Sequence, residues 1–256
     1  MIFDIRAQAA KYYDYIAQGF NDIPFYLQQV PNPDISILEL GCGTGRVLVP
    51  LTGKCKYIYG IDLSAAMVAR CTEKLNQARI PNSKATAVVG DITQFELGKP
   101  FEMIIAPYRV MQNLETDAEV SGLFRCIRNH LAKEGFCILN VFKPNREPEK
   151  LLTEWVANTD NLYAEYQLED GILKCYDRRP RMDKQNLVLY PELIFRKYQA
   201  DILVEEVILK IAMRCYYPEQ FVELIASQGF HILDKWGGYA GEPYGEGPEL
   251  VVKFRI

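Results

Sequence analysis

Residues 37–46, ILELGCGTGR, carry a short apolar run straight into Gly41, Gly43 and Gly45 and then into a helical stretch. Glycine supplies the positive φ of a tight bend and lets a ligand approach the backbone. The helix that follows offers free N–H groups to an electronegative end. Such a turn belongs at the carboxyl end of a strand in an α/β sheet, and its spacing narrows the ligand class. A dinucleotide fingerprint needs its third glycine one residue later, where helix and strand pack closely, and that position is Arg46. A nicotinamide-dependent dehydrogenase on the same sheet is therefore the weaker alternative.

The flanking pattern extends the same fold. Between about residues 35 and 142, short apolar runs (ISILEL, YIYGID, ATAVVGD, FEMIIA, GFCILNVF) alternate with amphipathic stretches (RVLVPLTG, AAMVARCTEKLNQA, AEVSGLFRCIRNHL). Strands that are apolar throughout are covered on both faces, and right-handed crossovers then give a doubly wound sheet. Ahead of this core, Ala7 to Val30 has helical periodicity, broken by Gly19 and Pro24, and predicts one or two short capping helices. Residues 160–216 change character: LYAEYQL, ILKCYD, LVLYPELIFRKYQ and ILVEEVILKIAMRCYY are separated by turn signals at 169–171 and 199–201 and predict an antiparallel insert. Pro218 opens a last helix that Gly229 ends, and FHILDKW and ELVVKFRI close the sheet.

The expected architecture is a doubly wound, Rossmann-like, seven-stranded mixed sheet with helices on both faces and a small antiparallel β insert. Residues 1–145 form the cap helices and ligand-binding core, 146–216 a helix and the insert or lid, and 217–256 the last helix and closing strands. The insert is expected to govern the choice of second substrate while leaving the glycine-loop site nearly independent of it.

A formal net charge of −4 offers no basic face for a polyanion. The compact basic run Arg178, Arg179 and Arg181 is expected at a solvated hairpin tip, with a site for an anionic substrate group as the alternative. Seven cysteines without metal-ligand spacing read as reduced thiols. The start MIFDIRAQAAKYYDY lacks the basic-then-apolar order of a leader. No stretch approaches the roughly 18 apolar residues of a membrane span. The cytoplasm and the absence of nucleic-acid or membrane partners are the resulting expectations, and the oligomeric state stays open.

With Glu39, Gly41, Gly43 and Gly45 at the first turn, Asp62 closing the second strand in YGIDLS and Asp91 closing the third in VVGDIT, the chain resembles the class I S-adenosylmethionine-dependent methyltransferases. The likeness covers about residues 9–145 and the last two strands in outline. It implies S-adenosylmethionine as cofactor. It also implies that Glu39 faces the methionine ammonium, that Gly43 leaves room for the linking chain, and that Asp62 accepts from both ribose hydroxyls. Asp91 with Ile92 would meet the adenine edge, with Leu63 and Met67 on either side of the base. Tyr13, Cys42, Arg46 and Ala106 complete the cofactor set implied.

The same resemblance places Ala106-Pro107-Tyr108-Arg109 beside the reactive methyl group. The Asn/Asp-Pro-Pro-Tyr motif of enzymes acting on nucleic-acid amines is absent here, which argues against DNA adenine methylation. Together with the helix Asp22 to Leu27 and the insert, this points to a small-molecule acceptor, an amine ahead of a hydroxyl. Tyr12, Tyr13, Tyr108, Tyr163, Tyr217 and Tyr239 are candidate chamber tyrosines. A hydroxyl acceptor would need a base, for which Tyr108 beside the cation Arg109 is the candidate. His130 and His231 read as structural, and no residue set has metal-ligand spacing. An RNA methyltransferase with a protein partner, and a binding protein without turnover, are the remaining alternatives.

Overall fold

The computed structural model describes Asp4 and residues 6–256, apart from the Gln18 side chain. Met1 to Phe3 and Ile5, part of the stretch read above for a leader, lie outside the described residues. In chain order the elements begin with α1 (Tyr13–Ile16), which passes into a 3-10 turn (Ala17–Gly19), and α2 (Ile23–Gln29). The core follows as β1 (Ser36–Leu40), α3 (Leu48–Leu51), β2 (Tyr57–Asp62), α4 (Ala65–Gln77), β3 (Ala85–Val89), β4 (Phe101–Ala106), α5 (Asp117–His130) and β5 (Leu131–Phe142). Then come α6 (Pro148–Glu154), β6 (Ala157–Leu168), β7 (Gly171–Asp183), β8 (Val188–Gln199), β9 (Ile202–Lys210) and β10 (Met213–Arg214). The chain closes with α7 (Pro218–Ser227), β11 (His231–Trp236) and β12 (Glu249–Arg255).

The main sheet runs β11-β12-β5-β4-β1-β2-β3, with β12 antiparallel to both of its neighbours and the other pairs parallel. Alternation along the strands fills two separate cores. Leu38, Leu40, Ile104 and Leu139 meet Leu123, Phe124 and Ile127 of α5 and Phe221 and Ile225 of α7. On the other face, Ile37, Ile58, Ile105 and Ile138 meet Phe25 and Tyr26 of α2, Leu48 and Leu51 of α3, and Cys71 and Leu75 of α4. Each such side chain, fully buried, contributes about 1.5–3 kcal/mol. The seven-stranded mixed sheet matches the expected fold.

The helix ends follow local chemistry. Thr116 accepts from the Glu119 N–H at 3.2 Å while the Glu119 carboxylate accepts the Thr116 N–H at 2.8 Å, a reciprocal cap that starts α5. Gly229, at φ +76°, follows the end of α7 in the left-handed conformation that glycine adopts without strain. RVLVPLTG forms only one helical turn, Leu48–Leu51, which closes with the tighter bonds from the Thr52 N–H to the Val49 carbonyl and from the Gly53 N–H to the Pro50 carbonyl. No helix among the described residues is long and apolar enough to cross a membrane.

β6 to β10 form a second, five-stranded antiparallel sheet ordered β10-β8-β7-β6, with β9 also beside β8. One of its faces is apolar and packs on the amino-terminal segment. Tyr12 stacks on Phe195 with ring centroids 5.7 Å apart, and Ala9 joins Leu173, Cys175, Val207 and Leu209 in the same cluster. Arg178, Arg179 and Arg181 are not at a hairpin tip. They lie within β7, where Arg178 pairs with Glu192 at 2.6 Å, Arg179 with Asp177 at 2.9 Å, and Arg181 covers the Tyr190 ring. A cross-strand carboxylate takes Arg178, a carboxylate of the same strand takes Arg179, and a tyrosine ring takes Arg181, which composition could not reveal.

Independence of the insert is also not what the packing suggests. The segment that fills the insert's apolar face carries Asp14, which accepts from Thr44 of the glycine loop at 2.5 Å and from Lys74 of α4 at 2.7 Å. Replacing residues 157–214 with a short loop should therefore release residues 6–17. Hydrogen exchange is expected to show lost amide protection there and at Gly41 to Gly45. Unchanged protection at both would mean that the core alone holds the segment.

Candidate active site at the glycine loop

The three loop glycines have left-handed backbones, with φ of +68° at Gly41, +53° at Gly43 and +81° at Gly45. Two are also required by packing. A Cβ at Gly41 would lie 2.5 Å from Val110, and one at Gly45 would lie 2.6 Å from the Cys71 sulfur. At Gly43 the nearest atom is a ring carbon of Tyr13 at 3.9 Å, so this glycine faces open space. The loop is held from below by the Ile61 carbonyl, which accepts the Gly41 and Cys42 N–H groups at 2.7 and 3.0 Å. Cys42 is buried beneath it.

Asp62, at the end of β2, grips the same loop. One carboxylate oxygen accepts the Gly43 N–H at 2.8 Å and the other the Ser64 N–H at 2.9 Å. Each oxygen keeps a lone pair for a further donor. Burial raises this carboxyl above its ordinary value, opposed by the two backbone bonds. Ser64 caps α4 by accepting the Met67 N–H at 3.2 Å. Leu63 is about half exposed beside Asp62, whereas Met67 is buried.

Asp91, just past β3, is committed to its own turn. It accepts the Thr93 N–H at 2.8 Å, the Thr93 hydroxyl at 2.7 Å and the Gln94 amide at 2.9 Å. Partial burial pushes it up, and those three donors more than compensate, leaving it below the ordinary range. Ile92, next to it, is partly buried against the α5 side of the core.

Glu39 is 2 % exposed, and its Oε2 has no hydrogen-bond partner. Burial, with smaller contributions from Cys71, Asp22 and Asp62, pushes its carboxyl well above the ordinary range against the pull of Arg46. Arg46 is engaged elsewhere: it forms a two-pronged pair with the fully buried Asp22, one arm measuring 2.8 Å, and lies 5.2 Å from the centre of the Tyr108 ring. The residue that set the dinucleotide reading aside thus ties α2 to the glycine loop.

Beyond the buried Ala106, the chain turns through two left-handed residues, Tyr108 at φ +59° and Arg109 at φ +65°. The Arg109 N–H donates to Asn140 at 2.9 Å. Its guanidinium pairs with Glu249 and lies between the Phe20 and Phe142 rings. Asn140 also donates to Glu249 at 2.8 Å. Phe20 packs edge-on against Tyr108 at 4.3 Å, with Tyr13 on another side at 6.1 Å. The expectation that Arg109 would favour a Tyr108 phenolate meets an opposing balance. Burial raises the phenol, Arg109 and Arg46 lower it only in part, and Glu249 holds the Arg109 charge. Tyr108 is a hydrogen-bond donor near neutral pH rather than a base.

His130 is wholly buried, with Nδ1 2.7 Å from the Cys126 carbonyl and Nε2 accepting the Leu97 N–H at 2.9 Å. Both ring nitrogens serve the fold. His231 is exposed on β11. No group of three or more metal-ligating side chains occurs among the described residues. A groove of about 490 Å³ lined by Asp14, Phe20, Ile23, Arg46 and Lys74 runs along the outside of the loop. A cleft of about 560 Å³ lies away from it, between α7 and the β11–β12 loop.

Asn140, Glu249, Asp14 and Asp22 carry the site without having been singled out as site residues in the sequence. For two of them a signal existed: Asn140 stands between the apolar Leu139 and Val141, and Glu249 opens the apolar run 250–252.

Residues 37–135 match the family model described as a methyltransferase domain. Among curated proteins, the chain is 24% identical over 144 residues to the dTDP-3-amino-3,4,6-trideoxy-alpha-D-glucopyranose N,N-dimethyltransferase of Streptomyces venezuelae, covering 56% of each. It is 25% identical over 162 residues to the dTDP-3-amino-3,6-dideoxy-alpha-D-glucopyranose N,N-dimethyltransferase of Streptomyces fradiae, covering 60% of each. The chain thus spans little more than half the length of these curated relatives. Among solved structures, an S-adenosylmethionine-dependent methyltransferase from Clostridium acetobutylicum superposes with a TM-score of 0.78 at 17% identity, over 97% of this chain and 98% of that one. Residues 37–135 thus match a methyltransferase-domain model, and the chain as a whole shares its fold with this solved methyltransferase.

The unpartnered carboxylate yields a pH prediction. Glu39 holds its proton more tightly in the folded chain than in the unfolded one. Its contribution to stability is therefore full below the ordinary glutamate value of 4.5 and is lost as pH rises towards its raised folded value. Unliganded Glu39→Gln should be more stable than the parent by about 1–3 kcal/mol near neutral pH. Urea denaturation across the range should show the parent losing more stability than the variant. Parallel profiles would show that Glu39 is already satisfied.

Proposed function

We propose that this chain is an S-adenosylmethionine-dependent methyltransferase acting on the amine of a small molecule, with amino sugars the first class to test. The observation that carries this reading is the buried, unpartnered Glu39 carboxylate beside a glycine loop that is open only at Gly43. A cationic amino-acid end suits Glu39, and a ribose suits the two lone pairs left on Asp62. The residues present therefore fit this cofactor, which supplies a methyl group already activated on a sulfonium centre.

The chain's own residues then chiefly hold and orient. Glu39 faces the ammonium, Asp62 takes the ribose hydroxyls, and Leu63 lies along the base. Asp91 and the Ile92 backbone meet the adenine edge, Asp91 with the acceptor capacity its turn leaves over. Tyr13, Phe20 and Tyr108 form an aromatic wall on the acceptor side. Burial keeps the Tyr108 phenol protonated, which suits a neutral amine nucleophile, since such a nucleophile needs no strong base. Holding the reactants in place supplies most of the acceleration expected of such a site. The amine is favoured further by the two curated relatives, whose names are those of sugar N,N-dimethyltransferases.

Calorimetry with S-adenosylhomocysteine tests the first half of the reading. Asp62→Asn should weaken binding about tenfold to a hundredfold, the worth of a charge-assisted hydrogen bond. Labelled S-adenosylmethionine offered with matched amino and hydroxy sugar nucleotides tests the second half. Label should reach the amine, and the rate should survive a chelator. Absent binding would end the reading, and label found only on the hydroxy sugar would reverse the acceptor class.

A further inference from the structure

Three buried oxygens without partners occur in one place: Glu39 Oε2, the Tyr26 hydroxyl and the Tyr239 hydroxyl. Tyr26 is wholly buried on α2, Glu39 is near enough on β1 to act on it, and Tyr239 packs on Tyr26 from the β11–β12 loop. The Tyr26 and Tyr239 rings are 6.0 Å apart at their centroids, and Phe25 and Trp236 close the apolar side. Leaving even one such group unsatisfied costs about what a hydrogen bond provides. Three together mark a place where the polar end of a ligand would be satisfied.

Charge selects the occupant. Of the carboxylates around these oxygens, Asp22 is paired with Arg46, and Glu249 is held by Arg109 and Asn140. Glu39 has no such paired cation, so burial disfavours its charged form until a cation binds beside it. A primary ammonium has one positive charge and three N–H donors, a match for one carboxylate oxygen and two phenol oxygens. Burial first, then Asp22 for Tyr26 and Tyr26 for Tyr239, raises both phenols and keeps them protonated; their hydroxyls lie near each other without a well-formed hydrogen bond between them, which leaves each oxygen free to accept.

We infer that Tyr26 and Tyr239, together with Glu39, form a three-oxygen receptor for the primary ammonium of the cofactor's amino-acid end. This rests on the reading of the chain as an S-adenosylmethionine enzyme and adds two binding residues to it. Neither tyrosine is part of the glycine loop or of the acidic positions that follow it.

The test compares S-adenosylhomocysteine with its desamino analogue, which lacks only the ammonium, by calorimetry on the full chain. Tyr26→Phe and Tyr239→Phe should each weaken S-adenosylhomocysteine about fivefold, equivalent to about 1 kcal/mol. Binding of the desamino analogue should be unchanged. Melting of the unliganded variants provides a second readout. A hydroxyl without a partner does not support the empty fold, so neither variant should melt below the parent. Equal losses for both ligands, no loss for either, or a marked drop in the unliganded melting temperature would overturn the receptor. If the parent chain binds neither ligand, the cofactor reading falls with it. Selective failure of the variants to discriminate removes the receptor alone.

Discussion

The pair between Asp22 and Arg46 is the contact on which the site's geometry turns. Asp22 is fully buried, and removing one partner of such a pair leaves an uncompensated charge at a cost of about 3–5 kcal/mol. The bond joins the residue before α2 to the first residue after the glycine loop, across 24 positions of sequence. It fixes where α2 lies, and with it Phe25 and Tyr26 over the sheet. Its guanidinium also lies against Tyr108, so one ion pair reaches the glycine loop, the capping helix and the Tyr108 ring together.

A second pair does similar work at the Tyr108 turn. Left-handed backbones at residues other than glycine cost about 1–3 kcal/mol each, and Tyr108 and Arg109 adopt them consecutively. Asn140 accepts the Arg109 N–H, Glu249 takes its guanidinium, and the Phe20 and Phe142 rings flank it. β5 and β12 thus hold the turn from below while the amino-terminal segment closes it from above. Strain is tolerated where several elements fix the same residues, and its result is a fixed aim for the Tyr108 ring.

What was legible in the sequence was what is local. The strand running into Gly41, Gly43 and Gly45, the acidic residues closing β2 and β3, and the change from helical to alternating periodicity after β5 all depend on near neighbours. They led to the main sheet and the antiparallel insert, although the run read as one last insert strand is divided into β9 and β10. Contacts made at a distance left no such trace. Glu249 meets Arg109 across 140 positions and Tyr12 meets Glu205 across 193, so nothing in the run Arg178 to Arg181 or in the insert's strands revealed which charges were spent or which face was covered. Tyr108 illustrates the same limit: its neighbour Arg109 was visible, but the burial and the Glu249 carboxylate that outweigh it were not.

These placements leave the charges uneven. Asp22 and Glu249 are compensated within the protein, which costs nothing further when a ligand arrives and keeps the surrounding elements in place. Glu39 is not compensated, and so the unliganded fold bears an electrostatic penalty at the carboxylate beside the open glycine. A cation that binds there relieves the penalty as it binds, which links affinity to stability through one residue. The amino-terminal segment is part of that linkage, because Asp14 joins it to Thr44 and Lys74 while Tyr12 joins it to the insert. Ligand binding at the loop and packing of the insert therefore draw on the same segment.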